Sequence, residues 1–465
     1  MKRNHIKNSI LLYLLALALL VLKSCDRFTE VGLPKSQITR DVVFQDDQLA
    51  KSAMAGVYRS LEESGFLSGA TSGAQVILGA YVDELQSYAG ATSDATVFYH
   101  LSHTAGTSKI NSLWTTTYTQ LYQTNAVIEG VEHSENLSAE VRNRLKGEGL
   151  FLRAVLHLYL AQTFGAVPYV NSTNYEVNRT IGKSTVDQVY ERCKADLAAA
   201  STLLPETLPA GSRVYPTKMA ARAVLARIAY YESNWEAALQ YSGAVISHPL
   251  YKMEPDLNKV FLKDGSGSIW QLLPFNSTYN TYQGNVFILN TAPPANVALR
   301  QDFISEFETG DGRRTAWVGQ KTDSQNNTYY YPFKYKQYST STSSTEYSVV
   351  LRVEELYLIR AEAYIRKGQY ALAMADLNAI RNRAGLPALV NSTDPNTLIS
   401  AVIRERRSEL FTEFGHRFYD LRQHQLLDGV MSAKKTNWKP HFRVLPLPEK
   451  ELLLNPNLYP QNEGY

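Results

Sequence analysis

The segment Arg404–Arg422 gathers Glu405, Glu409, Glu413, His416 and Asp420 among a run of arginines. Carboxylates and an imidazole at that density are the raw material of general acid–base chemistry. The spacing points elsewhere. Arg406 and Glu409 stand three apart, and Glu413 and Arg417 four apart across Gly415, the separations at which opposite charges pair on one helix face. Phe411, Phe414, Phe418, Tyr419 and Leu421 would bury much of the segment, and buried carboxylates need such partners. We read the cluster as a structural ion-pair network. Asp83-Glu84 is the other tempting pair. Glycoside hydrolysis needs two carboxyl groups facing each other across a cleft, about 5–9.5 Å apart, whereas adjacent residues point in different directions. His100 and His103 have no cysteine nearby, no clear third ligand and no zincin spacing, so no metal is expected. There is no Gly-x-Ser-x-Gly elbow. Asp264-Gly265-Ser266-Gly267-Ser268 lacks the lysine of a phosphate loop and reads as a turn. No cofactor is implied.

The elements that carry these residues are mostly helical. Apolar residues recur at helical spacing over 41–63, 113–131, 138–164, 184–204, 217–232, 235–247, 351–366, 370–383 and 397–427. Ser138 is a plausible N-cap, and Gly165 with Pro168 stops the helix it opens. The pairs 217–232/235–247 and 351–366/370–383 sit close to tetratricopeptide spacing, through Ala226, Tyr230, Trp235, Ala238 and Leu239, and through Tyr357, Ala361, Tyr364, Gly368, Tyr370, Ala373 and Leu377. Trp114 and Trp235 fall at packing positions and are assigned to the core. The stretch 249–349 breaks this pattern. It is rich in Gly, Pro, Asn, Ser, Thr and Tyr, with a polar low-complexity run at 338–345. Its aromatic load argues against disorder. A long irregular stretch of this kind inside a compact protein is where a binding surface is expected.

The N-terminus is not part of the fold. Met1–Lys7 is basic, Ile10–Leu22 is an apolar run, and Ser24-Cys25 follows. This pattern is a secretory signal. The run is 13 residues long, against about 20 for a membrane-spanning helix. A cysteine after the small residue suggests a lipoprotein box, with residues 1–24 removed and Cys25 carrying lipid. Cys193 would then have no partner, so the exported body depends on its core rather than on disulfides. The chain has 465 residues, net charge +3 and 30 tyrosines against 16 phenylalanines. No basic block is present, so nucleic acid is not indicated. Tyrosines in excess suit surfaces that are both apolar and wet.

Five stretches, in order, resemble the SusD/RagB family of Bacteroidetes lipoproteins: Leu113-Trp114 with 122–128; Gly147–Ala154 with Phe164–Pro168; Leu356–Ala363; Arg404–Arg422; and Leu445–Pro448 through Tyr465. The resemblance implies a single mainly α domain over 25–465. Tetratricopeptide-like helical repeats would pack against an irregular, loop-rich ligand-facing half that includes the 249–349 insertion. It implies no catalysis. It implies an outer-membrane protein held by its lipid and facing the cell exterior, which captures oligosaccharides for a SusC-like TonB-dependent transporter. Capture of peptides, as by RagB-like lids, is the alternative. A surface polysaccharide-degrading enzyme and a pure scaffold are the readings from other classes.

A sugar ligand needs flat aromatic faces for its C–H groups and polar side chains at the rim. The candidates are Tyr88, Phe98 and Tyr99 near Asp94; Trp270 near Gln271; Tyr279 and Tyr282 beside Asn280 and Gln283; and Trp317 near Arg313 and Arg314. Each competes with plain core packing. Two or three of them are expected to be exposed and clustered.

Overall fold

The computed structural model describes residues 40–274, 280–339 and 342–465, with the side chains of residues 40 and 41 not described. Cys25 and Tyr279 lie outside the described residues. Residues 40–43 form a helical turn in a unit of their own, and residues 44–465 form a second unit. The helices of that second unit are α1 (Asp47–Glu63), α2 (Ala74–Tyr81), α3 (Asp94–Tyr99), α4 (Ser108–His133), α5 (Ala139–Phe164), α6 (Val186–Leu203), α7 (Lys218–Tyr231), α8 (Trp235–Ile246), α9 (Tyr282–Phe287), α10 (Gly312–Trp317), α11 (Val353–Arg366), α12 (Tyr370–Arg383), α13 (Pro395–Leu410), α14 (His416–Gln423), α15 (Leu427–Lys434) and α16 (Glu449–Leu454). Single-turn segments carry no label. The strands are β1 (Leu85–Ser87), β2 (Ser268–Leu272), β3 (Val297–Leu299), β4 (Val318–Thr322), β5 (Thr328–Pro332) and β6 (Ser348–Arg352). The fold is mainly α, as expected.

α5 is the central post. The Ser138 hydroxyl accepts from Val141 N at 3.4 Å and opens it; Gly165, at φ 79°, closes it. From Gly147 onward every residue of α5 is buried, the mark of a helix packed on all sides. Small residues permit this. A Cβ on Gly149 would sit 2.5 Å from Ile128 of α4, and one on Gly147 would sit 3.1 Å from Leu203 of α6. Arg153 of α5 grips Asp196 of α6 through two bonds of 2.7 and 2.6 Å, a bidentate pair that fixes the helices in register.

Successive helices from α4 to α8 pack on one another, and α8 then packs on α11, which packs on α12 and α13. The chain between α8 and α11 therefore leaves the helical stack and returns to the next place in it. That excursion is not irregular throughout. It folds into a four-stranded sheet of order β1-β3-β5-β4, borrowing β1 from the N-terminal half, and an antiparallel β2–β6 ribbon with Ser268 opposite Arg352. Phe261, Phe287, Phe303, Trp317, Tyr335 and Val349 form a core with Val76 and Phe411 of the helical half. Much of the aromatic load that suggested a surface is thus interior.

The expected helix boundaries shift in several places, and α4 begins five residues earlier than expected. Residues 348–352 are strand β6, which runs directly into α11. The first helix starts after the N-cap Asp46, whose carboxylate accepts from Gln48 N and Leu49 N. The 397–427 helix is broken into α13, α14 and α15. Thr412, Phe414 and Gly415 take positive φ of 53°, 41° and 84° and turn the chain between α13 and α14. Trp114 is buried, whereas Trp235 is only half-buried, with the Arg366 guanidinium 5.5 Å from its ring centre.

Candidate ligand-binding site

The charged cluster is internal, but its pairing differs from the expected helical pairs. Glu409 meets Arg352 at 2.5 Å, Arg383 at 2.6 Å and Arg313 at 3.2 Å. Glu413 meets Lys334 at 2.5 Å and Arg352 at 2.9 Å. Arg406 turns instead to Asp420 at 2.7 Å, and Arg417 to Asp83 at 2.8 Å. The break after α13 removes the helical face on which Glu413 and Arg417 would have paired. Burial raises the Glu413 and Asp83 carboxyls, but the arginines over them outweigh it and hold both below the ordinary range. Glu84 goes the other way: burial pushes it up to about 7 despite Arg407 at 3.4 Å. All five acids are buried beneath guanidinium or ammonium groups.

Three of the expected ligand aromatics are core residues. Trp270 is 0% exposed, its ring edge-on to Phe151 at 5.0 Å and its indole N–H bonded to Val214 O at 3.1 Å. Trp317 is 0% exposed, bonds Leu257 O at 2.8 Å and offers its faces to Lys334, Arg352 and Arg383 at 5.1–5.9 Å. Phe98 is 0% exposed, stacked on His103 at 5.2 Å. These three cannot stack on a ligand from outside. His103 is buried, and burial holds its imidazole down at about 4; His100 is exposed. Tyr282 is half-buried at the start of α9.

Tyr88 comes together with Tyr329, a residue the sequence left unassigned, whereas Tyr99 packs against the core. Tyr88 N bonds Asn296 O at 2.7 Å and so extends the β1–β3 ladder by one rung. The period of two then aims Tyr88 and Gln86 to the face opposite the core residue Leu85. On β5, Tyr330 packs into that core, so Tyr329 and Tyr331 share the outer face. Tyr88 and Tyr329 meet edge to face, ring centres 5.5 Å apart, both half-buried. Burial, then the Tyr329 and Tyr99 hydroxyls, raises the Tyr88 phenol above its ordinary value. A Cβ on Gly319 would lie 2.3 Å from the Tyr331 ring, so only glycine lets that ring lie across β4.

The polar rim is fixed in place. Thr96 Oγ1 meets Ser87 Oγ at 2.7 Å and donates to Ala89 O at 3.1 Å, clamping the loop that bears Tyr88 to α3, which bears Tyr99. Lys435 Nζ, buried, donates to Ala80 O, Tyr81 O and Tyr99 O at 2.5–3.0 Å and lies 4.7 Å from the Tyr99 ring centre. Asp323 accepts from Tyr329 Oη at 3.2 Å and from Asn327 Nδ2 at 3.0 Å. Asp94 pairs with Lys109 at 2.9 Å. The result is a pair of tyrosine faces with a carboxylate and an amide at its border, above a buried ammonium that holds the turn after α3. Tyr329 was findable: three tyrosines in a short strand must place the first and third on one side.

A family model described as starch-binding and associating with the outer membrane matches residues 42–230, and the SusD family model matches residues 301–465. The chain belongs to the SusD/RagB family. The SusD-like protein P25 of Formosa agariphila is 23% identical over 95% of this chain and 97% of its own. A SusD superfamily protein from Bacteroides vulgatus superposes with a TM-score of 0.80 at 24% identity, covering 90% of this chain and 99% of that one. A laminarin-binding SusD-like protein superposes at 0.72 and 20% identity, covering 90% and 99%. Among the described residues of this SusD-family chain, no helix is long and apolar enough to cross a membrane.

Proposed function

We propose that this protein is a non-catalytic, lipid-anchored protein of the outer membrane that captures oligosaccharides and hands them to a SusC-like TonB-dependent transporter. The observation that carries the reading is the Tyr88–Tyr329 pair on the outer face of the sheet, with the Asp323 carboxylate and the Asn327 amide beside it. Such faces suit the C–H side of a sugar ring, and the rim suits its hydroxyls. The laminarin-binding relative supports a glycan as the ligand class. The non-catalytic half of the reading is supported by the acids themselves. Asp83 and Glu84 are 0% and 2% exposed and lie under Arg407 and Arg417. A general acid has to reach the glycosidic oxygen directly.

A glycan and peptide array probed with the chain lacking residues 1–25 tests the ligand. The expected result is retention on glycans, lost in Tyr88→Ala. Retention on peptides alone would replace glycan by peptide, and release of reducing ends from any bound polysaccharide would end the non-catalytic reading. Palmitate labelling tests the anchor: incorporation is expected in the full chain and not in Cys25→Ser. Co-purification of a large β-barrel receptor with the full chain from its own outer membrane tests the partner.

A further inference from the structure

A second cleft, of about 120 Å³, opens between α1 and β2. Tyr58 and Glu62 of α1, Tyr215, and Gln271, Leu272 and Leu273 line it. Several of its donors are engaged elsewhere. Tyr58 Oη donates to Glu148 at 2.9 Å, and Arg59 Nε donates to Glu63 at 2.8 Å. Gln271 Nε2 donates to Leu262 O at 3.2 Å and Ser268 Oγ at 3.1 Å, which fixes which end of the amide is oxygen. Two acceptors remain without a donor among the described residues: Glu62 Oε2 and Gln271 Oε1. Their side chains are 5% and 1% exposed. An unpaired carboxylate at such depth is costly to keep, by about 1–3 kcal/mol or more.

We propose that this cleft binds a primary ammonium carried on a short alkyl stem, of the lysine side-chain type. An ammonium brings three donors and no acceptor, which matches the two acceptors left without a donor. Leu272, Leu273 and Val214 suit methylenes better than a ring studded with hydroxyls. Burial, with Glu63 adding to it and Arg59 opposing, holds Glu62 up at about 7, so the carboxylate is held ready for a cation to settle it. The other charges near the cleft, Glu148 and Arg144, are paired with each other at 2.7 Å. The proposal is independent of the tyrosine site, which lies on a different sheet.

The test is titration of the whole body, residues 26–465, with 1-aminobutane at pH 8, followed by calorimetry or amide chemical shifts. Saturable binding at millimolar concentration is expected. Glu62→Gln should weaken it by roughly tenfold, the loss of one charged hydrogen bond. Leu273→Trp, on the exposed rim, should block it without touching Glu62. Glucosamine, an ammonium on a sugar ring, should bind more weakly than 1-aminobutane. No binding to the wild type, an unchanged titration in either variant, or preference for glucosamine overturns the proposal.

Discussion

The Arg417 guanidinium donates to both oxygens of Asp83, at 2.9 and 2.8 Å, across 334 residues of sequence. The pair ties the turn after α2 to the first turn of α14. Asp83 is 0% exposed and also faces Arg407. Its removal leaves two guanidinium groups without their shared anion. Asp83→Ala is expected to destabilise the body by about 3–5 kcal/mol, the range for breaking a buried pair on one side. The urea midpoint reads this directly. A change under 1 kcal/mol would mean that Arg407 and Arg417 find other partners.

The tyrosines and the tryptophans should separate cleanly. Tyr88→Ala and Tyr329→Ala are expected to weaken glycan binding by about 1–3 kcal/mol each, the share of a large anchor, with little loss of stability. Trp270→Ala and Trp317→Ala are expected to cost about 3–5 kcal/mol of stability and to leave the affinity of the folded fraction unaltered. Calorimetric binding and thermal melting on all four variants decide it. The reverse pattern would move the site to the tryptophans.

Acid should loosen the post at His157. Its Nε2 accepts from Val170 N at 3.0 Å, and Nδ1 meets Arg153 O at 2.9 Å, so the buried ring is neutral. Burial holds it down at about 3, with Arg153 and Arg192 adding repulsion against the pull of the Arg153 carbonyl. The unfolded imidazole takes a proton near 6.5, so between pH 6.5 and about 3 the unfolded chain binds more protons than the folded one. Stability therefore falls as pH drops through that window, by up to about 1.4 kcal/mol per unit from this ring. His157→Gln should flatten the slope of urea stability against pH over that range. An identical slope in the variant would assign the acid sensitivity elsewhere.

Gly149→Ala tests the packing of the post. Its new methyl would meet Ile128 at 2.5 Å, and something has to shift. The gain in helix propensity from Gly to Ala is about 1 kcal/mol, and overpacking typically costs about 1–3 kcal/mol. A net loss in melting temperature is expected. A rise would show that α4 yields freely.

The α5 boundaries were legible because a capping serine and a stop glycine mark them in the sequence. The turn between α13 and α14 was not, since Thr412 and Phe414 do not announce positive φ by residue type; only Gly415 does. Trp317 beside Arg313 read as an aromatic with a polar rim. In the fold that arginine turns inward to Glu409, 96 residues away, and the indole becomes part of the lining around buried charge. Local spacing cannot reveal such a partner. Of the candidate site, Tyr88 was legible from its polar neighbours. Tyr329 needed the strand that sets its direction, and nothing in the sequence says that β1 and β5 share a sheet.

Because α8 seats directly on α11, the chain between them is closed by its neighbours whatever its length. Closure entropy changes only by about 0.6 kcal/mol per doubling. Insertions or deletions there are cheap, so that region can be exchanged without disturbing the helical stack. One condition travels with the exchange. Glu409 and Glu413 take Arg313, Lys334 and Arg352 from the exchanged stretch, so each replacement has to arrive with its own counter-charges.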